Sequence, residues 1–320
     1  MSACRICGNR RDNRDFVLTE KMFGTGDAFD YFQCADCGCL QIADLPDRVN
    51  DLYGNGYYSF APPKSLFDNP LKAGLKRLRT RCALAGKSLL PALFLKLYPP
   101  PEYFEWLRRT GARRRSAILD VGCGGGDLLV RLRKDGFENL TGVDPHIAAD
   151  TVYDNGVVIY KKRVSEVTGP FDVIMLHHSF EHMPDPVGVM GELQRIASAH
   201  GHLVIRVPVA TAQVWHDYGA DWVQLDAPRH FFLHTEKSMT AIARRSGFRV
   251  EEIVYDSDAF QFWGSEQYRQ GIALGAPNSL ANGLRGSIFT KEQIAAYQSA
   301  AEALNRQGKG DQACFYLRKS

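Results

Sequence analysis

Four clusters of residues in this chain have the types and spacing to do chemistry. The first is LHHSFEHMPDP (176–186), in which His178, Glu181 and His182 spell H-x-x-E-H. That spacing is the zinc signature of one peptidase class. A peptidase helix would have to persist through both imidazoles. Here Met183-Pro184-Asp185-Pro186 follows at once, and proline drives the residue before it away from helical backbone. Zinc peptide cleavage is therefore not expected. His178 and His182 are instead suited to take a proton near neutral pH. The second cluster is LDVGCGGGDLL (119–129), where Asp120, Gly122, Gly124 and Gly126 form D-x-G-x-G-x-G. Such a turn needs glycine so that backbone can approach a ligand closely and enter a helix. The dinucleotide fingerprint G-x-G-x-x-G would require its third glycine where Asp127 stands. Asp144 ends the next strand-like segment, where a carboxylate can hold ribose hydroxyls.

The third cluster is a pair of CxxCG turns, Cys4/Cys7 and Cys34/Cys37, separated by 26 residues. Each turn presents two thiolates, and two turns complete a tetrahedral Cys4 zinc site. Four thiolates leave no open position, so the zinc is expected to be structural; the alternative is buried free thiols. The fourth cluster lies in DWVQLDAPRHFFLHTEKSM (221–239). Asp226, Arg229 and His230 stand beside a proline among aromatics. They suit acceptor binding, with His230 a third candidate base, or they form a structural turn held by an Asp–Arg pair. Thr235 is expected to cap the helix that follows.

These residues need elements to position them. From 116 onward, strand-like and helix-like segments alternate. The strands are AILDV (117–121), NLTGVD (139–144), VVIYK (157–161), FDVIMLH (171–177), GHLVIRV (201–207), FRVEEIVYD (248–256) and ACFYLRK (313–319). Alternation of this kind predicts an α/β fold with a parallel sheet covered by helices on both faces. Upstream, residues 1–50 read as a small zinc-ribbon-like module. Residues 51–115 read as an aromatic loop followed by a basic helical lid or linker. Tyr57 and Tyr58 in that loop either pack or help shape an acceptor pocket. Residues 116–320 form the main domain.

Composition narrows the classes further. The 320 residues are 45% hydrophobic and 23% charged, ordinary for a globular protein. There is no apolar run long enough to span a membrane. The start, MSACRICGNRRDNR, lacks the apolar core of a signal peptide. A cytoplasmic protein is expected, peripheral to the inner membrane face at most. Charge is uneven. Residues 1–50 hold six Lys/Arg against eight Asp/Glu, net −2; residues 72–115 hold twelve Lys/Arg against two Glu, net +10. Within that basic stretch Leu71, Leu75, Leu78 and Cys82 recur at helical spacing. The helix either packs on the main domain with a solvated basic face or meets phosphates or an anionic membrane.

The residues 116–320 resemble a class I S-adenosylmethionine-dependent methyltransferase. LDVGCGGG matches that family's first motif, GVDP (142–145) its second, FDVIMLHHSFEHMPDP its fourth strand and following loop, and GHLVIRVP its fifth strand. The resemblance implies a Rossmann-like, seven-stranded sheet with an antiparallel seventh strand. It implies that S-adenosylmethionine is the cofactor and that the Asp120–Gly126 loop cradles its amino acid part. Asp144 would bind the ribose, Val164 of RVSEV (163–167) would lie beside the adenine, and His177 would lie near the methyl-bearing end. The base would come from His178, His182 or His230. The 221–239 segment, FQFWGSEQY (260–268) and the N-terminal CxxC pairs resemble methyltransferases of surface-polysaccharide and sugar metabolism. The resemblance therefore implies a nucleotide sugar or glycan acceptor. Sugar C-methyltransferases carry further sequence after strand four that is not seen here; O- and C-methylation both stay open, with O-methylation the first expectation. Two other readings stand beside it: an RNA methyltransferase using the zinc module, which a net-acidic module disfavours, and a cofactor-binding scaffold without catalysis.

Overall fold

The structure is a computed structural model that describes residues 3–46, 58–84, 89–210 and 213–320. Tyr57, and the side chain of Tyr58, lie outside the described residues.

The N-terminal module contributes three antiparallel strands: β1 (Arg14–Thr19), β2 (Ala28–Gln33) and β3 (Leu40–Ile42). Each CxxC turn closes with a backbone hydrogen bond from the following glycine to the first cysteine, Gly8 to Cys4 at 2.8 Å and Gly38 to Cys34 at 2.9 Å. Both glycines sit at positive φ, 80° and 72°, which explains why glycine follows each pair. Next come α1 (Pro70–Leu84), α2 (Leu89–Leu97) and α3 (Tyr103–Arg109).

The main domain opens with β4 (Ala117–Val121) and α4 (Asp127–Asp135). It continues through β5 (Asn139–Val143), β6 (Thr151–Val152), β7 (Val158–Tyr160), β8 (Phe171–His177), α5 (Pro186–Ile196) and β9 (Ala197–Pro208). The remaining elements are α6 (Gln213–Tyr218), β10 (Phe232–Leu233), α7 (Glu236–Arg245), β11 (Phe248–Tyr255), α8 (Phe260–Arg269), α9 (Lys291–Arg306) and β12 (Gln312–Lys319). The large sheet has the order β11-β12-β9-β8-β4-β5-β7-β6. Strands β7, β5, β4, β8 and β9 run parallel, and β12 lies antiparallel between β9 and β11. The apolar runs in AILDV and FDVIMLH follow from burial on both faces of a parallel sheet. Eight strands stand where the resemblance implies seven. The extra one is the two-residue β6, folded back antiparallel on β7.

Two features depart from the sequence reading. Segment 221–239 is not only a loop. It supplies β10, which pairs antiparallel with β3 and completes a four-stranded sheet with the N-terminal module. One apolar cluster accordingly runs from Ile6, Phe32 and Leu40 through Phe231 to Ile174 and Leu176 of the main sheet. The second departure is α1. Its leucine stripe does not pack inward: Leu71, Leu75 and Leu78 are 77%, 41% and 46% exposed. Thr80, opposite the stripe, and Arg79, on its flank, are the buried residues of this helix, and Arg79 donates to Asp135 of α4 at 2.8 Å. Tyr103 donates to the other Asp135 oxygen at 2.6 Å.

Candidate active site

The glycine turn leaves β4 and enters α4. Gly122, Gly124 and Gly126 have φ of 75°, 53° and 76°, backbone that side-chain-bearing residues rarely adopt. Space is as restrictive as backbone. A Cβ on Gly122 would lie 2.4 Å from the Ser179 Cβ, and one on Gly124 would lie 2.1 Å from the Ser59 carbonyl oxygen. Residues 59–61, the described end of the aromatic loop, thus lie over the turn, and the Gly125 amide donates to Ser59 at 2.8 Å.

Two carboxyls stand behind this turn. Asp144 accepts from the Gly124 amide at 2.9 Å and from the His146 amide at 2.8 Å. Each oxygen keeps a second lone pair for a ligand hydroxyl. Asp120 is buried at the end of β4. Burial and the nearby Asp144 charge push its carboxyl up to about 7. Val164 begins a short helical turn after β7 and shares an apolar cluster with Val143.

The second half of the site grows from the end of β8. Ser179 anchors it to the glycine turn by donating to the Val121 carbonyl at 2.8 Å. His177 stacks on Trp106 of α3, with ring centroids 4.0 Å apart. Neither of its ring nitrogens has a hydrogen-bond partner among the described residues. Burial, with the Arg206 charge, holds it well below the usual imidazole range, so it is neutral. His178 has φ 49°. Its Nε2 lies 2.7 Å from Arg206 Nη1; a guanidinium only donates, so His178 accepts there and carries its proton on Nδ1. That Nδ1 faces Glu181 at 3.5 Å. With Nε2 occupied and Nδ1 protonated, His178 is the weakest of the three expected bases.

His182 and His230 meet across a short gap, with ring centroids 4.7 Å apart. His182 Nδ1 donates to the Arg229 carbonyl at 2.8 Å, and His230 Nδ1 donates to the Gln224 carbonyl at 2.7 Å. Each bond fixes a tautomer that leaves Nε2 as an acceptor. Burial and the His230 charge bring His182 down to about 4. Glu181 is fully buried, and the group that faces it most closely is the protonated His178 Nδ1, at 3.5 Å. Burial opposes its ionisation, and the facing His178, His182 and His230 outweigh burial and hold it down at about 2.

The Asp–Arg turn is real and larger than the sequence implies. Arg229 donates through Nε to both Asp226 oxygens, at 2.9 and 3.1 Å, and through Nη2 to Glu20 of the N-terminal module at 2.7 Å. Tyr31 of β2 donates to the His230 carbonyl at 2.9 Å, and Thr235 donates to the Cys37 carbonyl at 2.6 Å. The N-terminal module therefore grips the segment that carries His230. Sequence reasoning missed Glu20, Trp106, Arg206 and the central place of Glu181. Only Glu181 carried a signal, as part of the E-H pair. Thr235 caps α7 as expected, accepting from the Ser238 amide at 3.0 Å.

Cys4, Cys7, Cys34 and Cys37 converge, with all four sulfurs within 4.8 Å of one another. The closest pairs are 3.6 Å (Cys4–Cys37) and 3.5 Å (Cys7–Cys34). Sulfurs around tetrahedral zinc at Zn–S about 2.3 Å stand about 3.8 Å apart, so the set fits that ion. Gln41 Nε2 donates to Cys4 at 3.2 Å and the Cys37 amide donates to Cys34 at 3.4 Å, the outer support a thiolate site needs.

Comparisons with known proteins fall on the main domain. Residues 96–253 match a family model described as a methyltransferase domain. The ubiquinone biosynthesis O-methyltransferase of Pseudomonas aeruginosa (strain UCBPP-PA14) is 27% identical over 173 residues, covering 48% of this chain and 73% of that protein. The protein of the same name from Ralstonia nicotianae is 30% identical over 114 residues, covering 32% of this chain and 48% of that one. Among solved structures, an S-adenosylmethionine dependent methyltransferase from Mesorhizobium loti aligns with a TM-score of 0.43 and 17% identity, covering 70% of this chain and 100% of that chain.

Proposed function

Because the chain carries a class I S-adenosylmethionine-dependent methyltransferase domain, we propose that it transfers a methyl group to a hydroxyl of a sugar, as a nucleotide sugar or a surface-polysaccharide glycan. The observation that carries the hydroxyl is the cluster of buried Glu181 and His230 with half-buried His182. Through Ser179 it adjoins the glycine turn, and imidazoles with fixed acceptor nitrogens suit deprotonation of an alcohol. The names of the curated relatives, O-methyltransferases, favour oxygen over carbon. The sugar rests on the resemblance of 221–239 and 260–268.

S-adenosylmethionine supplies a methyl group already activated on a sulfonium. The residues present fit this cofactor. The Asp120–Gly126 turn, with no room for side chains, would cradle the amino acid part; Asp120 offers a buried carboxyl to a cationic ligand. Asp144 would take the ribose hydroxyls on its remaining lone pairs, Val164 would border the adenine, and His177 would face the methyl-bearing end. His182 or His230 would receive the acceptor proton. The module at 1–50 would bind a structural zinc through Cys4, Cys7, Cys34 and Cys37 and buttress the acceptor segment through Tyr31, Glu20 and Thr235. The exposed leucines of α1, with Leu93 and Leu97 of α2 exposed beside them, sit among Lys and Arg and would rest on an anionic bilayer or a lipid-linked acceptor.

A second reading has specific support. The relatives act, by their names, in ubiquinone biosynthesis, which makes a quinone precursor a competing acceptor. One experiment separates these: transfer of tritiated methyl from S-adenosylmethionine to pooled nucleotide sugars, purified surface glycan, a phenolic quinone precursor and total RNA, run in parallel. Label in sugar or glycan supports the proposal. Label in the phenol or RNA alone replaces the acceptor, and label nowhere leaves the scaffold reading.

A further inference from the structure

A surface hollow of about 560 Å³ is lined by Arg81 and Leu84 of α1, by Arg113, Arg114 and Arg115 of the turn before β4, and by Glu138. It stands at the end of the parallel sheet where β4 and β5 begin. The glycine turn leaves the other end of β4, about 13 Å along the strand at about 3.3 Å per residue, so the hollow is separate from the methyl-transfer site. Four arginines against one glutamate leave it a surplus of three positive charges. Glu138 commits both oxygens within the hollow, accepting from Arg114 Nη2 at 2.9 Å and from Arg115 Nε at 3.2 Å. The exposed guanidiniums of Arg81 and Arg113 have no carboxylate and no hydrogen-bond partner among the described residues. Arg77, one turn earlier on α1, comes alongside: a Cβ on Gly136 would lie 3.3 Å from Arg77 Cγ and 3.4 Å from Arg114 Nε. Like charges gathered this closely repel one another, and an anion relieves them. Guanidinium forks match phosphate oxygens in pairs.

The surroundings of the hollow decide what carries that phosphate. Leu78 stands three residues before Arg81, hence beside it on the helix surface, and ends the exposed stripe of Leu71, Leu75 and Leu78. Helix α2 packs against α1 and adds Leu93 and Leu97, 60% and 79% exposed. A soluble anion or a nucleic acid would meet the arginines and leave these leucines in water. A lipid surface takes both: a headgroup phosphate enters the hollow, and the leucines enter the boundary with the acyl chains. We propose that the arginine hollow is the headgroup site for a membrane lipid bearing a phosphomonoester or a diphosphate. Three surplus charges suit a headgroup with two or more negative charges better than a phosphodiester with one. The lipid held there anchors the protein and is not the methyl acceptor, because the hollow stands at the opposite end of the sheet. The site rests on the contact of α1 and α2 with a bilayer proposed above, and adds the lipid chemistry and the residues that read it.

The test is flotation of the full chain with phosphatidylcholine vesicles of two kinds. One carries phosphatidic acid, a phosphomonoester; the other carries enough phosphatidylglycerol, a phosphodiester, to match its charge. The native chain should bind the phosphatidic acid vesicles about tenfold more tightly. Arg81→Gln/Arg113→Gln should lose that preference. Lys291→Gln/Lys309→Gln, which removes the same charge around α9, should keep it. Thermal melts establish that the arginine variant is folded, and the native chain's preference between the two vesicles carries the test if it is not. Equal binding of the native chain to both vesicles, or a preference that survives in the folded arginine variant, would overturn the headgroup site and leave the bilayer contact standing. Binding to neither vesicle would overturn both. Binding of inorganic phosphate or of a single-stranded RNA oligonucleotide that the arginine variant loses, without vesicle binding, would replace the lipid by that ligand.

Discussion

Asp120→Asn should stabilise this protein and cripple its cofactor site at once. Asp120 is buried at the mouth of the glycine turn, and burial together with Asp144 pushes its carboxyl up to about 7. In the unfolded chain an aspartate ionises near 3.9. Between those two pH values the folded state holds a proton that the unfolded state has lost, so folding stability falls as pH rises through that window. Each pKa unit is worth about 1.4 kcal/mol. From pH 5.5 to pH 8 the native chain should therefore lose about 2 kcal/mol that the asparagine variant keeps. Urea unfolding of the zinc-saturated protein at the two pH values measures this directly. The variant's advantage should widen by about that amount. Cofactor binding should move the other way. A cationic amino acid moiety beside Asp120 favours the ionised carboxylate, so S-adenosylmethionine should bind the native chain about tenfold more weakly per pH unit below 7. That slope should disappear in Asp120→Asn, along with much of the affinity. Parallel stability differences at pH 5.5 and 8, or an unchanged pH slope of binding, would refute the assignment of a strained, ionisable carboxyl at this position.

Other perturbations probe the remaining parts. Of His230→Asn and His182→Asn, the one that removes the base should lower kcat by about 10²–10⁴ while calorimetry finds the affinity for S-adenosylmethionine unchanged; that loss in His178→Asn alone would overturn both assignments. Arg229→Ala leaves Glu20 and Asp226 buried without their guanidinium, and should cost about 3–5 kcal/mol in denaturant unfolding. Chelating the zinc that Cys4, Cys7, Cys34 and Cys37 would hold, or Cys34→Ser, should abolish methyl transfer by loosening the segment that Tyr31 and Thr235 hold. Replacing Leu71, Leu75 and Leu78 by serine should abolish sedimentation with anionic vesicles and leave methylation of a soluble acceptor intact; equal sedimentation would remove the membrane contact.

What the sequence made legible was local. The strands of the parallel sheet announce themselves because burial on both faces demands unbroken apolar runs such as FDVIMLH. The glycine turn is legible because positive φ and crowding admit no other residue at Gly122 or Gly124. The CxxCG pairs are legible because two thiolates and a left-handed glycine fit within one turn. What stayed hidden was set by contacts across long stretches of chain. The leucine periodicity of α1 is correct as periodicity, yet the face it marks is exposed, while Arg79 beside it is buried in an ion pair with Asp135 of α4. Hydrophobic period alone does not register such a pair. Segment 221–239 was legible as polar and aromatic, but its strand β10 exists only because β3, nearly 200 residues earlier, offers an edge to it. The same separation hid Glu20, which reaches Arg229 across 209 positions. These long-range contacts share one consequence. The N-terminal module does not merely sit beside the main domain; it supplies hydrogen bonds and a strand partner to the residues on either side of His230. A substitution in the first 40 residues should therefore read out as a change in acceptor turnover as well as in stability, the coupling that a chain of two independent domains would lack.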